Sequence, residues 1–377
     1  MRARILLYAS LAVFTAGIAF GSAWDLYWHS IHRVDNFFTP PHLFIYSGVA
    51  AAGALAITLA VRPELSRWFG PAYRLPLVPF PVPGSIMMLG FGVAVTLIAG
   101  GLDDWWHTSF GQNETRWSLP HAMLAWGIYV AMLGFLSCRL AMRAHRPMSR
   151  FSPAMYGVLL LAFSMAALLG PLFLNTTPEA MARLATMQGF SGAETLHLFR
   201  IIDKYEITRA NPFYPALAAL WAGAGIAVIR AFDPRPRTIL EVTALATILY
   251  TAFGLLAASY IGAVEPWGTW LPPVVLPAAA VLLYLDAKRL DAKLVWFAAG
   301  AVLGVLTFFT YGWGPLAFAL SLLAGPMMIA GWWVGERIFR VVKDPTPAGV
   351  GWLVPLFGAA MPVLVGLLDL YMRSTTA

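Results

Sequence analysis

Residues 5–29 read ILLYASLAVFTAGIAFGSAWDLYWH, a long apolar run that leads directly into Asp25 and His29. The run has about the length, roughly 20 residues, that a helix needs to cross a bilayer. A basic start at Arg2 and Arg4 followed by such a run is also typical of a signal peptide. Because no linker separates the run from Asp25 and His29, we interpret it as a retained first span.

Apolar runs of this kind recur along the whole chain. Of its 377 residues, 59% are hydrophobic and only 11% are charged, whereas soluble domains carry roughly a quarter charged residues. In lipid, a single chain with such runs satisfies its backbone polar groups as helices. The sequence therefore predicts an all-α polytopic membrane protein with about 11 transmembrane helices. The predicted spans are residues 5–24, 42–61, 86–102, 121–138, 153–174, 213–229, 239–262, 271–286, 294–311, 315–334 and 350–371.

Basic residues mark alternate loops and so predict the orientation of the chain. They precede the first span and follow the second, fourth, sixth, eighth and tenth, at Arg2, Arg4, Arg62, Arg67, Arg74, Arg139, Arg143, Arg146, Arg150, Arg230, Arg235, Arg237, Lys288, Arg289, Lys293, Arg337, Arg340 and Lys343. By the positive-inside rule these loops are cytoplasmic. The N-terminus is then cytoplasmic and the C-terminus exterior. The net charge of +7 reflects this orientation, so we expect no nucleic-acid partner.

The spans and loops divide the chain into three parts. We expect residues 1–150 to form a four-helix metal-binding unit and residues 213–377 to form a six-helix membrane bundle of unknown role. Residues 151–212 hold the fifth span and a long exterior loop, which is long enough to act as a lid or a partner surface. The single cysteine, Cys138, excludes both an intrachain disulfide and a thiolate cluster.

Residues of metal-binding type occur twice in one pattern, at the exterior ends of the first four spans. Each copy has one aspartate and two histidines, spaced D-x3-H-x12-H and then D-x3-H-x13-H, at Asp25, His29, His42, Asp103, His107 and His121. An N-capping residue, Thr39 or Ser118, and a proline precede the last histidine of each copy. Gly48 and Gly127 each lie six residues beyond that histidine. The pattern predicts a parallel repeat of two helical hairpins.

The chemistry of each set favours a metal ion. Residues four apart share a helix face, so the aspartate and first histidine point the same way. The turn then returns the second histidine to the same depth, at about the third helical position. Two imidazoles and one carboxylate suit copper, zinc or iron and leave a position for water or substrate. We expect Asp104, Glu114 and His32 to support the ligands. The alternative is a hydrogen-bonded polar cluster that caps helix ends.

At these residues the chain resembles the C-type subunit of the copper-containing membrane monooxygenases, the particulate methane and ammonia monooxygenase family, over about residues 1–145. That family member has an Asp-x3-His-x12-His set on one helical hairpin and an Asn-x3-His-x13-His set on a later one. Asp103 stands here where the family has asparagine. The resemblance implies two copper sites near the periplasmic face of a bacterial inner membrane, where dioxygen and a small apolar substrate react. It also implies other membrane or periplasmic subunits as partners.

The sequence thus favours a copper-dependent oxidoreductase of the monooxygenase type in the lipid bilayer. One alternative is a copper-handling protein, an importer, exporter or donor to a respiratory oxidase. The clustering of ligand-type residues at one face argues against permeation but not against a donor role. The other alternative is an intramembrane zinc hydrolase, in which zinc lowers the pKa of bound water and Glu114 or Asp104 acts as base.

Overall fold

The computed structural model describes residues 2–31, 36–76, 78–110, 119–145, 214–261, 275–311 and 315–358. This part of the chain is almost entirely helical, as the sequence predicts, and its only strands form one short hairpin. The elements in chain order are α1 Arg2–Ile31, α2 Pro40–Val61, α3 Pro63–Ser66, β1 Ala72–Tyr73, β2 Val82–Pro83, α4 Gly84–Phe110, α5 Leu119–His145, α6 Tyr214–Phe232, α7 Pro236–Ile261, α8 Val275–Ala287, α9 Ala292–Tyr311, α10 Pro315–Ser321, α11 Ala324–Lys343 and α12 Pro347–Gly358.

The chain divides into two compact units. Unit 1 comprises residues 1–158 and 340–377, and unit 2 comprises residues 159–339. Unit 1 therefore contains the predicted metal-binding segment, together with a C-terminal stretch that we expected in the second bundle. In this C-terminal stretch, α12 contacts α4 and α5. The hydropathy of the sequence does not predict this contact.

Unit 1 is built from two helical hairpins, α1 with α2 and α4 with α5. In the first hairpin, a Cβ on Gly48 would lie 3.1 Å from the Cα of Gly17 and 3.2 Å from the carbonyl oxygen of Phe14. In the second, a Cβ on Gly127 would lie 3.0 Å from the carbonyl oxygen of Gly92. Phe14 and Gly92 are separated by 78 residues, the same offset that separates Asp25 from Asp103. The two hairpins therefore share a close helix contact at equivalent positions, where small residues let the backbones approach.

Unit 2 also relies on small residues where its helices cross. Gly331 and Gly335 of α11 pack against Leu220 and Ala224 of α6, so closely that neither position has room for a side chain. At one end of the unit, the Arg230 guanidinium lies 3.1 Å from the Asp286 carboxylate and joins α6 to α8. These contacts combine close backbone packing in the interior with an ion pair at the edge.

Six described helices are long and apolar enough to cross a membrane. Their spanning segments are Arg2–Ser22, Pro40–Val61, Gly84–Trp106, Met123–Arg143, Pro215–Phe232 and Ala292–Phe309. The predicted run 239–262 is helical, as α7, and the run 271–286 corresponds to α8, which has only 13 residues. The run 153–174, most of the run 350–371 and the exterior loop at 175–211 lie outside the described residues.

The run predicted as one span at 315–334 is not one continuous helix, because α10 ends at Ser321 and α11 begins at Ala324. Pro326 explains the break. A proline has no N–H for the carbonyl four residues earlier, and its ring clashes with that carbonyl in a continuous helix. In the first turn of a new helix the same residue is tolerated.

The carboxylate at the start of α7 is Asp233. It accepts hydrogen bonds from the Thr238 hydroxyl at 3.0 Å and from the backbone N–H of Arg235 at 3.3 Å. These bonds, above all those from the Arg235 side chain, hold the pKa of Asp233 below its usual range. Glu241 lies beyond the first turn of α7 and pairs with Arg237.

Candidate metal centre

The ends of α1, α2 and α4 meet at a short turn formed by residues 36–39. The carbonyl oxygen of Asn36 accepts hydrogen bonds from the backbone N–H of Thr39 at 3.1 Å and from its hydroxyl at 3.0 Å. The side-chain oxygen of Asn36 accepts a bond from the N–H of Phe38 at 2.8 Å. Thr39 precedes α2 as predicted, but its side chain bonds backwards to the turn and makes no capping bond. The turn is thereby fixed by Asn36.

The same Asn36 carbonyl orients His42. It lies 2.9 Å from Nδ1 of the imidazole, and a carbonyl oxygen only accepts, so Nδ1 carries a hydrogen. His42 is the third residue of α2, the position expected for it. On the other side of the ring, Nε2 lies 3.1 Å from Oδ1 of Asp25 on α1. The hairpin thus brings the aspartate and the last histidine of the first set together, as the spacing predicts.

This arrangement has a direct chemical consequence. With its only hydrogen on Nδ1, a neutral His42 directs the Nε2 lone pair at a carboxylate oxygen, so two acceptors face each other. A proton on Nε2, or a cation bound to both atoms, removes the repulsion. Two ligands that each lie about 2.0–2.1 Å from one metal ion are about 3 Å apart. The observed separation of 3.1 Å therefore fits a shared metal ion as well as an imidazolium–carboxylate pair.

Asp103 of the second set and its neighbour Asp104 lie at the same pocket as His42. Asp103 on α4 is 6% exposed, and burial of a carboxylate is costly unless it is paired or bound to a cation. Asp104 accepts a hydrogen bond from the backbone N–H of Phe37 at 2.8 Å, which ties the turn of the first hairpin to α4. One small pocket is lined by residues of both hairpins, namely Asn36, Phe37, His42, Tyr46, Gly100, Asp103 and Asp104. One member of each predicted set, His42 and Asp103, thus lines the same pocket.

Aromatic rings form one wall of this pocket. The Tyr46 ring stacks on Phe37, with centroids 4.5 Å apart and an interplanar angle of 20°. It also contacts the His42 ring, with centroids 6.0 Å apart. A Cβ on Gly100 would lie 2.7 Å from the Tyr46 hydroxyl, so glycine at this position of α4 makes room for the tyrosine. The wall shields the imidazole on one side.

The structure does not describe the side chains of several predicted ligands. His29, His107 and His121 are on α1, α4 and α5 respectively, but only their backbone is placed. Glu114 and His32 lie outside the described residues altogether. Within the described part of the chain, no group of three histidine, cysteine, aspartate or glutamate side chains is arranged to hold a metal ion. The described side chains therefore include one imidazole–carboxylate pair of the first set, His42 with Asp25, and Asp103 and Asp104 line the same pocket as His42.

Three residues that shape the pocket beside His42 were not predicted from the sequence. Asn36 had a signal, since an asparagine just before a helix start is a common turn-forming residue. Tyr46 also had one, since it lies four residues after His42 and so on the same helix face. No local signal identifies Gly100, because its role depends on the position of Tyr46 in another helix.

Two tryptophans near these helix ends are exposed. Trp24 is 42% exposed and Trp105 is 57% exposed. Comparison of the chain with protein-family models, with curated proteins and with solved structures finds nothing that matches it.

Proposed function

We propose that this chain is an integral membrane protein that binds copper at the ends of α1, α2 and α4 and uses it to oxidise a small apolar substrate. The observation that carries the proposal is the pairing of His42 Nε2 with Asp25 Oδ1 at 3.1 Å, with Nδ1 held by the Asn36 carbonyl. A ligand histidine in metalloproteins commonly donates its other N–H to a carbonyl, which fixes the tautomer and aims the free nitrogen at the metal.

The donor set fits copper. An imidazole and a carboxylate are already adjacent, and His29 follows Asp25 by one helical turn on α1. This set of nitrogen and oxygen donors suits copper, zinc or iron, and the resemblance to the monooxygenase family selects copper. Bound copper supplies one-electron and dioxygen chemistry.

The protein's own residues would orient the donors and limit access of water. Asp104 holds the Phe37 backbone and so keeps the Asn36 carbonyl in place for His42. The Phe37–Tyr46 stack supplies an apolar wall for a small hydrocarbon-like substrate. Asp103 lines the same pocket and is 6% exposed, so it adds a buried carboxyl group beside His42.

We further propose that the chain has eleven spans in a bacterial inner membrane, with a cytoplasmic N-terminus and the metal site facing the periplasm. The support is the distribution of Arg and Lys between loops and the six described helices of spanning length. The basic residues Arg2 and Arg4 start α1, and Asp25 lies near its other end, so charge and candidate ligands are separated along one helix. Other membrane or periplasmic subunits would supply electrons.

Metal analysis of the purified protein tests the proposal. Wild-type protein exposed to copper and then dialysed should retain it, whereas His42→Ala and Asp25→Ala should bind at least about tenfold more weakly, as expected when a ligand is removed. His145→Ala is the matched control, because it removes a histidine from the far end of α5. Electron paramagnetic resonance of the retained copper should show nitrogen coupling that His42→Ala diminishes.

The results separate the candidate functions. Retained copper together with copper-dependent oxygen uptake, stimulated by a small alkane or ammonia, supports the oxidoreductase. Retained copper without oxygen uptake favours a copper donor. Retention of zinc in preference to copper favours the hydrolase, and a wild type that binds neither metal overturns the metal site.

A further inference from the structure

The end of unit 1 away from the metal site carries a cluster of arginines that the proposed chemistry does not use. Its centre is Arg139 on α5, which is only 2% exposed. The Tyr8 hydroxyl on α1 accepts a hydrogen bond from this guanidinium. Its Nε and Nη2 atoms are buried and have no hydrogen-bond partner among the described residues.

Two exposed arginines lie beside this buried one. Arg143 follows Arg139 by one turn of α5, and Arg4 of α1 lies over the Tyr8 ring, with its guanidinium carbon 5.6 Å from the ring centroid. Both are close enough to Arg139 to repel its charge. In the described part of the chain, the side chains that are charged at neutral pH and act on Arg139 are therefore positive.

The position of the Arg139 guanidinium is electrostatically unfavourable by itself. A buried guanidinium has lost most of its hydration, and in a medium of low dielectric constant the repulsion from neighbouring cations is weakly screened. A bound anion offsets both effects. Guanidinium groups match the geometry of phosphate oxygens and bind them through paired charge-assisted hydrogen bonds.

We propose that Arg4 and Arg143, with Arg139 beneath them, form a binding site for a phosphate group at this end of unit 1. Arg4 and Arg143 contact the phosphate, and Arg139 contributes its poorly screened charge from below. The position, at the ends of two membrane-spanning segments, is one where basic residues bind the headgroups of anionic phospholipids. The same chemistry also accepts free phosphate from solution.

The test uses the full-length protein in phosphatidylcholine nanodiscs. One series adds phosphatidylglycerol in increasing proportion, and a second adds inorganic phosphate to the buffer. Thermal unfolding and native mass spectrometry of retained lipid report binding. Arg4→Gln/Arg143→Gln removes the two exposed contacts, and Arg62→Gln/Arg74→Gln is a matched control that removes two exposed charges from the segment after α2. Arg139→Met removes the buried charge.

We expect anion-dependent stabilisation of the wild type and the control pair, and an apparent affinity at least about tenfold weaker in Arg4→Gln/Arg143→Gln, from loss of charge-assisted hydrogen bonds. A response to phosphatidylglycerol alone identifies a lipid headgroup as the source, and an equal response to inorganic phosphate identifies the free anion. If Arg139→Met folds, it should weaken binding as well. The proposal is overturned if the double variant responds like the wild type, or if the control pair loses the response to the same extent.

Discussion

Alanine substitutions at three glycines should destabilise unit 1 in a graded order. A Cβ on Gly127 would lie 2.6 Å from the backbone nitrogen of Thr96 and 3.0 Å from the carbonyl oxygen of Gly92. A Cβ on Gly48 would meet its nearest atom at 3.1 Å, and one on Gly101 would meet nothing within 4 Å. The neighbours of the first two are mostly backbone atoms, which cannot rotate away as a side chain can.

The magnitudes follow from the space that is missing. Restoring ordinary contacts of about 3.4 Å requires a shift of about 0.8 Å at Gly127 but only about 0.3 Å at Gly48. Overpacking typically costs about 1–3 kcal/mol, so we expect Gly127→Ala near the upper value and Gly48→Ala near the lower. Gly101→Ala should be neutral or stabilising by up to about 1 kcal/mol, because alanine loses less conformational freedom on folding than glycine does.

Unfolding of the purified protein by sodium dodecyl sulfate, followed by circular dichroism, measures the three differences. Gly101→Ala is the matched control, since it makes the same chemical change in α4 of the same unit. Equal midpoints for Gly127→Ala and Gly101→Ala would refute the inference that the α4–α5 backbones touch at this glycine.

Three further changes test other contacts. Asp104→Asn keeps the shape of the side chain but weakens the acceptor for the Phe37 N–H. Copper affinity in a metal titration should fall by about tenfold, as it does for other residues that orient metal ligands. An unchanged affinity would contradict the proposal that Asp104 supports the His42 site. The depressed pKa of Asp233 adds stability that is present above about pH 4 and is lost as pH falls through the folded-state pKa. Unfolding midpoints of the wild type should therefore drop on acidification. Asp233→Asn, which lacks the titrating carboxylate that pairs with Arg235, should show a flatter dependence on pH, and an equally steep one would contradict this role. Gly84→Ala should destabilise by more than about 3 kcal/mol in the same unfolding assay, because a Cβ there overlaps the carbonyl oxygen of the turn before α12; a smaller loss would show that this turn yields.

Helices were predictable because the chain's apolar runs leave the backbone no alternative in lipid. Their ends depended on single residues that the average hydropathy of a run conceals. Pro326 divides one apolar run into α10 and α11. Asp233, which lies outside any apolar run, accepts the bonds at the start of α7.

The contacts of the candidate site within one hairpin were predictable, whereas those between the two hairpins were not. The Asp25–His42 contact follows from spacing within one hairpin, in which the turn length fixes the register. The bond between Phe37 and Asp104 joins residues 67 positions apart, and its formation depends on how two hairpins pack. Local sequence patterns carry no information on that packing, which is why Gly100 could not be predicted.

The long separation between Phe37 and Asp104 also implies an order of events during biosynthesis. Translation makes the hairpin of α1 and α2 before it makes α4. The carboxylate that holds its turn arrives only with the second hairpin, so the pocket around His42 is finished late in the synthesis of unit 1. Slow hydrogen exchange at the Phe37 amide should therefore appear only in nascent chains long enough to have inserted α4.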